Sequence, residues 1–398
     1  MKIVIEGYYG VENLGDDYIL LSLLQTIEKI QGKKRVYIIG SGKSYKAFTQ
    51  LFSGISIHYF DKSNKSFLNK IKRKLYPKLI LGNADLYIYG GGGLFVKDDP
   101  QYYENVLKKI KNYRKNGTKR ISIYGVDICD LKEDKSKNIW KAIEKNVDYI
   151  SFRNEYSSDK VNSALGGGKT TYGPDITFSL ETQSEKDNNY KVFEKYQLEQ
   201  DNYIVWALTM PWRIEELDDE HIKSRYKKHC DTIVKVFNKY AKLGYKNVFI
   251  PFNHIRDSVI INDVTSRLEG DVIAIDEYDL HLDEKRLLFK NARACVSMKF
   301  HGVAFALYFG VPVAAVAYAP KSVNIMNENG LGEYVTKFGV RKEQYFFDEF
   351  DVDDGDFDRI CQLAIEQNDK DSFKRASTKL RELAKENESK LLEIVEKE

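Results

Sequence analysis

Residues 294–321 read ACVSMKFHGVAFALYFGVPVAAVAYAPK. The short apolar run Ala294 to Val296 predicts a buried strand, and Pro312 to Tyr318 predicts a second. Between them, Val303 to Phe309 predicts an apolar helix closed by Gly310 as its C-cap. This is a strand–helix–strand unit, and in open parallel sheets ligands bind at the carboxyl ends of the strands. Lys299 and His301 follow the first strand, and Lys321 follows the second. The three are therefore placed to face one anionic ligand.

The same alternation runs through the rest of the chain. Lys2 to Glu6 predicts a strand, Gly7 to Gly15 a glycine loop, and the next segment a helix whose apolar positions Ile19, Leu20, Leu23, Leu24, Ile27 and Ile30 step by three and four. Further strands are expected at Arg35 to Ile39, Ile55 to Phe60, Asp85 to Tyr89, Arg120 to Val126 and Tyr149 to Phe152. The polar, charge-rich stretch from Glu181 to Asn202 reads as a linker. A second strand–helix series begins at Tyr203 and includes a long helix from His221 to Leu243. With 398 residues, two domains are the natural expectation. The expected fold class is α/β, with two Rossmann-like doubly wound domains facing across a cleft, a GT-B-like arrangement. The expected boundaries are 1–182, a linker at 183–200, 201–368, and a C-terminal helix within 369–398. The first loop is not GxGxxG, so dinucleotide binding is not indicated.

Charge and cysteine usage exclude several classes. A net charge of +3 gives no strong global field, so no nucleic-acid partner is expected. Cys129, Cys230, Cys295 and Cys361 are widely spaced and form no CxxC pair, which suits buried thiols in a reducing compartment better than disulfides or a metal site. The N-terminal apolar run is too short for a signal peptide, and no run approaches the ~18 apolar residues of a membrane span. The expected location is the cytoplasm. The most basic stretch, KSNKSFLNKIKRKLYPK at 62–78, reads either as a solvated face or as a peripheral contact with the anionic inner face of a membrane.

Three further features carry candidate chemistry. Asp16 and Asp17 lie in or before the first turn of the first helix. They suit capping and dipole compensation, and they argue against a phosphate bound there. Alternatively, a carboxylate there accepts a hydrogen bond from a hydroxyl, or its proton. Gly90 to Gly93, with Gly91 and Gly92 at the centre, form either a tight turn or close packing, or else a wall of backbone N–H groups open to a ligand. Arg153 ends a strand and either grips an anion bidentately or pairs with the next helix.

The pattern Ser297-Met298-Lys299-Phe300-His301-Gly302, then Gly310-Val311-Pro312-Val313, then Tyr318-Ala319-Pro320-Lys321, resembles the C-terminal signature of the polysaccharide pyruvyl transferase family. GYYGVENLGDDYIL, Gly7 to Leu20, resembles that family's N-terminal signature. The resemblance spans roughly residues 1 to 330. It implies transfer of the pyruvyl group of phosphoenolpyruvate to a sugar of a cell-surface polysaccharide or its precursor, forming a ketal and releasing phosphate. It also implies an acceptor side in the first domain and a donor side in the second. A lipid-linked sugar acceptor would suit the basic stretch at 62–78.

That reaction needs a proton on the methylene carbon of phosphoenolpyruvate, then addition of two hydroxyls to the neighbouring carbon and loss of phosphate. His301 is the candidate general acid. Lys299, Lys321 and Arg153 are the candidate cations for the donor's carboxylate and phosphate. Asp16, with Asp17 beside it, is the candidate partner of the attacking hydroxyl. Phosphoenolpyruvate enters as a substrate, and neither a metal nor another cofactor is expected. The family commonly carries arginine where Lys299 stands, leucine at Phe300 and an acid at Asn154. Lysine keeps the charge but loses the planar fork of arginine. Two other readings share these features: a GT-B-type glycosyltransferase using a nucleotide sugar, for which no base-and-ribose subsite is identifiable, and a non-catalytic carbohydrate-binding relative.

Overall fold

Strand β1, Lys2–Glu6, is buried along four consecutive residues, which marks a central strand covered on both faces. The computed structural model describes residues 1–11, 13–40, 52, 54–61, 82–167, 170–181, 191–270, 272–275, 282–340, 347, 351 and 353–396. The basic stretch at 62–78 lies outside the described residues. The chain divides into two units, Met1–Glu181 with Arg381–Glu398, and Thr182–Leu380.

In the first unit β1 leads through the glycine loop into α1, Leu14–Lys29. That helix is buried on nearly every side, as an apolar helix packed within a domain must be. The chain continues through β2 (Lys34–Gly40), β3 (Ile55–Asp61), β4 (Leu86–Phe95), α2 (Pro100–Lys115), β5 (Arg120–Ile128), α3 (Asp134–Asn146), β6 (Tyr149–Phe152), α4 (Glu155–Leu165) and β7 (Thr170–Tyr172). The seven strands are all parallel, in the order β3-β2-β1-β4-β5-β6-β7. After β3 the chain returns to the middle of the sheet. Right-handed crossovers then place helices on opposite faces on either side of that reversal. Phe95, Tyr103, Trp140 and Phe152 form an aromatic core on β4, α2, α3 and β6.

Strand β4 was expected to end at Tyr89, yet it runs through the glycines to Phe95. Pairing with β5 is irregular between Gly92 and Phe95, and Gly91 and Gly92 both take positive φ. The strand bends at the glycines and resumes beyond them.

The second unit contains α5 (Lys191–Tyr196), β8 (Tyr203–Ala207), α6 (Glu220–Lys242), β9 (Lys246–Phe249), α7 (His254–Thr265), β10 (Val272–Ala274), α8 (Leu282–Lys290), β11 (Ala294–Ser297), α9 (Phe300–Phe309), β12 (Val313–Ala317), α10 (Pro320–Glu328), β13 (Val335–Lys337) and α11 (Asp354–Gln362). Its six parallel strands follow β10-β9-β8-β11-β12-β13, the same order as the first six strands of the other sheet. Trp206, Phe237 and Phe249 stack in its core.

Two boundaries differ from expectation. The stretch read as a linker contains α5, because Val192 supplies a buried anchor. The last helix, α12 (Lys370–Glu396), is divided: residues up to Leu380 belong to the second unit and those from Arg381 to the first. In the first unit Glu388 accepts hydrogen bonds from Thr26 (2.7 Å) and Lys29 (3.0 Å), so this end of α12 is bonded to α1. No helix among the described residues is long and apolar enough to cross a membrane.

Candidate functional site

Each sheet has one point where strand order reverses, between β1 and β4 in the first unit and between β8 and β11 in the second. Helices leave such a point in opposite directions, which opens a crevice at the carboxyl ends of the two strands.

In the first unit that crevice is lined by the glycine loop and the glycine run. Tyr9 is buried, its hydroxyl donates to the Gly90 carbonyl (2.6 Å), and its own carbonyl accepts from Tyr59 Oη (3.2 Å). Burial, and then the negative charge of Asp16, push the Tyr9 hydroxyl well above the ordinary phenol range, so it remains a donor. Asn13, the N-cap of α1, donates its side-chain amide to the Asp16 carboxylate. The other Asp16 oxygen faces Gly92, where an added Cβ would approach it to 3.2 Å. At Gly91 a Cβ would lie 2.5 Å from Ile19 Cγ2 and 2.8 Å from Tyr9 Oη. Close approach of α1 and Tyr9 to β4 is therefore enough to require both glycines. Asp16 and Asp17 are both buried in the first turn of α1, where the helix dipole favours negative charge. The Asp17 N–H donates to the Asn13 carbonyl. Asp16, Gly91 and Gly92 thus come together, and Asp17 is the next residue of the same buried turn.

Arg153, just past β6, is only 3% exposed. Its Nη1 donates to Asp175 (3.0 Å) and its Nη2 to Asp127. Asn154 caps α4 by accepting from the Ser157 N–H (2.7 Å) and donates to the other Asp127 oxygen (2.7 Å). Asp175 also accepts from the backbone and hydroxyl of Thr177. The guanidinium is thus matched by two buried carboxylates. Arg153 is paired, but with carboxylates on β5 and after β7 and not, as its position in the sequence suggests, with the next helix. The same network accounts for asparagine at 154, since an acid there could not donate to Asp127.

In the second unit the crevice is basic. Lys299 is the N-cap of α9, and the Ser297 hydroxyl donates to its carbonyl (2.8 Å). Its Nζ lies 3.2 Å from Asp257 Oδ1. Asp257 is fully buried in the first turn of α7 and also accepts from Thr209 Oγ1 (2.7 Å) and from the backbone N–H groups of Phe252 (2.9 Å) and Asn253 (2.7 Å). Thr209 follows β8 and Phe252 follows β9, so one carboxylate ties the ends of three strands together and holds Lys299 among them. At Gly302 a Cβ would meet Ser297 Oγ at 2.3 Å and Ala207 Cβ at 2.8 Å, so α9 sits directly on the reversal point.

His301 is the second residue of α9, half-buried, with its ring edge-on to Phe300 at 5.3 Å. Lys321 is the second residue of α10 and places Nζ 5.5 Å from the centroid of the same Phe300 ring. β11 and β12 are paired neighbours, and His301 and Lys321 both lie against the Phe300 ring, which follows Lys299 in the chain. The N-termini of α9 and α10 add their positive dipole ends, and neither first turn contains an acid. This arrangement suits a small polyanion.

Behind the cluster, Met298 Sδ lies 3.4 Å from Nε2 of His229, whose ring stacks on Phe338 at 4.5 Å. Burial pushes the His229 imidazole down to about 4. His254, the first residue of α7, follows the Asn253 cap that accepts from Arg256 N–H. Among the described residues no group of three or more His, Cys, Asp or Glu side chains is arranged to hold a metal ion.

Asp257, Thr209, Tyr9 and Asn13 were not singled out from sequence. An acid in a helix's first turn reads by default as dipole compensation, and no spacing connects Asp257 with Lys299.

The family model described as polysaccharide pyruvyl transferase matches residues 13–320. The amylovoran biosynthesis protein AmsJ of Erwinia amylovora is 20% identical over 373 residues, covering 84% of this chain and 87% of that one. Among solved structures, UDP-N-acetylglucosamine 2-epimerase from Rickettsia bellii is similar with a TM-score of 0.59 at 12% identity, over 99% of this chain and 95% of that one. A ugt transferase from Siraitia grosvenorii in complex with UDP is similar with a TM-score of 0.54 at 10% identity, over the whole of both chains. At such identity these likenesses speak for the fold alone, which is that of GT-B glycosyltransferases and UDP-GlcNAc 2-epimerases.

Proposed function

We propose, starting from the fact that this chain belongs to the polysaccharide pyruvyl transferase family, that it transfers the pyruvyl group of phosphoenolpyruvate to a sugar of a cell-surface polysaccharide or its precursor. The relationship to an amylovoran biosynthesis protein supports that acceptor class. The observation that supports the reading is that His301 and Lys321 lie against one ring, Phe300, with Lys299 next to it in the chain, after β11 and β12. Phosphoenolpyruvate carries a carboxylate and a phosphate on a small frame, and two lysines with two helix N-termini answer both charges.

His301 gives its proton to the methylene carbon, and the neighbouring carbon takes on oxocarbenium character. One acceptor hydroxyl adds there, and its proton restores the one that His301 gave. Phosphate then leaves with the carbon–oxygen bond electrons, and the second hydroxyl adds, its proton departing with phosphate. The product is a cyclic ketal. Asp16 is assigned to the acceptor side, as hydrogen-bond partner or base for a hydroxyl. Lys299 acts as a point charge whose position Asp257 sets. Arg153 is assigned a positioning role, holding the carboxyl ends of β5 and β6 through Asp127 and Asp175.

The test is thermal stabilisation of the purified protein by phosphoenolpyruvate, beside nucleotide sugars, with phosphate release measured for each donor–acceptor pair. A ligand that binds only the folded state raises the melting temperature at saturation. A shift with phosphoenolpyruvate that is lost in Lys321→Ala supports the reading. Nucleotide release without phosphate release from phosphoenolpyruvate would replace it with a glycosyltransferase.

A further inference from the structure

Tyr156 is a large aromatic residue left 42% exposed in the first turn of α4. The inward face of that helix is made by Ser157, Ser158, Val161 and Leu165, so Tyr156 contributes nothing to its core packing. Yet the ring is tethered. Its hydroxyl donates to Asp130 Oδ1 (3.2 Å), and Lys160 Nζ lies 5.0 Å from the ring centroid and 3.2 Å from the same Asp130 oxygen. An exposed aromatic side chain normally samples several rotamers, and holding one in place costs entropy. Here those contacts favour one ring position before any ligand arrives, which lowers the cost of using it as a contact surface.

We infer that Tyr156, with Asp130 and Lys160, is a stacking platform for a sugar ring of the acceptor glycan, distinct from the ring that receives the pyruvyl group. The inference rests on the proposed acceptor class. An aromatic face carries negative electrostatic potential and attracts the C–H face of a pyranose, while a carboxylate and an ammonium beside it supply an acceptor and donors for the ring's hydroxyls. The location fits. Gly92, against which Asp16 packs, pairs with Val126 of β5, and Val126 pairs with Phe152 of β6. Asp130 and Tyr156 lie a few residues beyond those two strands, at the same carboxyl edge. Two strand spacings are roughly 10 Å, longer than one sugar ring. A glycan with one residue at Asp16 would thus place a residue further along its chain over Tyr156.

The experiment is saturation-transfer NMR on the full chain with tetrasaccharides of β-linked glucose, galactose and mannose, beside the three free sugars. Wild-type protein should bind at least one tetrasaccharide. Tyr156→Ala should weaken that binding by about tenfold, the scale of one aromatic contact. Tyr156→Trp, which keeps a ring, should stay within a few-fold of wild type, and any binding of free sugars at Asp16 should be unchanged. Equal tetrasaccharide binding in wild type and Tyr156→Ala, or none in the wild type, overturns the inference. Because binding is read without turnover, failure to form a ketal from phosphoenolpyruvate would count against the proposed reaction and leave this result to stand by itself.

Discussion

The two reversal points share one topology and carry opposite chemistry. In the first unit the helix leaving the crevice begins with two acids, Asp16 and Asp17, where the dipole stabilises negative charge. In the second unit the two helices begin with Lys299, His301 and Lys321, where the dipole opposes positive charge. The acids are favoured by local stability, so their position alone does not point to a ligand. The cations run against the local dipole, and at Lys299 a buried carboxylate, Asp257, at 3.2 Å offsets it. A cation placed at local cost is a stronger pointer to an anionic ligand than an acid placed at local gain. Arg153 is the reverse case, a cation in the first unit already matched by Asp127 and Asp175.

The largest expected effects test that division of labour. His301→Ala should lower turnover by about a hundredfold or more, the usual contribution of a general acid. Folding and phosphoenolpyruvate binding should be largely retained. Wild-type turnover in that variant would remove His301 from the mechanism. Arg153→Ala should instead act on stability. Removing one member of a buried ion network leaves uncompensated charge and costs roughly 3–5 kcal/mol, which urea unfolding would measure. If Arg153→Ala lost phosphoenolpyruvate binding with stability unchanged, the contrast between the two crevices would collapse.

Much of this was legible from local pattern. The apolar runs mark most of the strands, and Lys299, His301 and Lys321 could be grouped because each follows a strand end within one short strand–helix–strand unit. What could not be read are pairings made between elements. Asp127 and Asp175 meet Arg153 from β5 and from the turn after β7, and Asp257 meets Lys299 from another helix altogether. Charge matching of this kind leaves no period in the sequence. The glycine run was ambiguous for a different reason: glycine permits both close packing and open backbone, and only the positions of Ile19, Tyr9 and Asp16 show that packing suffices.

The basic crevice should also be the acid-sensitive one. His229 packs behind Met298 and is held by burial at about 4, below the ordinary 6.5. Between those values the unfolded chain binds a proton that the folded chain refuses, so acid favours unfolding. The stabilisation is complete above about pH 6.5 and is lost as pH falls toward 4, up to about 3 kcal/mol in all. His229→Phe should flatten the stability–pH curve in that window. An unchanged slope would mean that the ring charges without disturbing the fold.

The smallest effect is the sharpest test of why the cations are there. Lys321 sits at the second position of α10, in a first turn that contains no acid. Its removal relieves an unfavourable charge–dipole contact worth about 0.3–1 kcal/mol and loses a cation–π contact with Phe300 of similar size. These two contributions are small and opposed, so the melting temperature of Lys321→Ala without ligand should change less than its stabilisation by phosphoenolpyruvate does. The stabilisation by phosphoenolpyruvate should nevertheless disappear. A residue kept for the fold would show the opposite, a lower melting temperature with the ligand shift intact, and the basic crevice would then owe its charge to structure, as Arg153 does in the first unit.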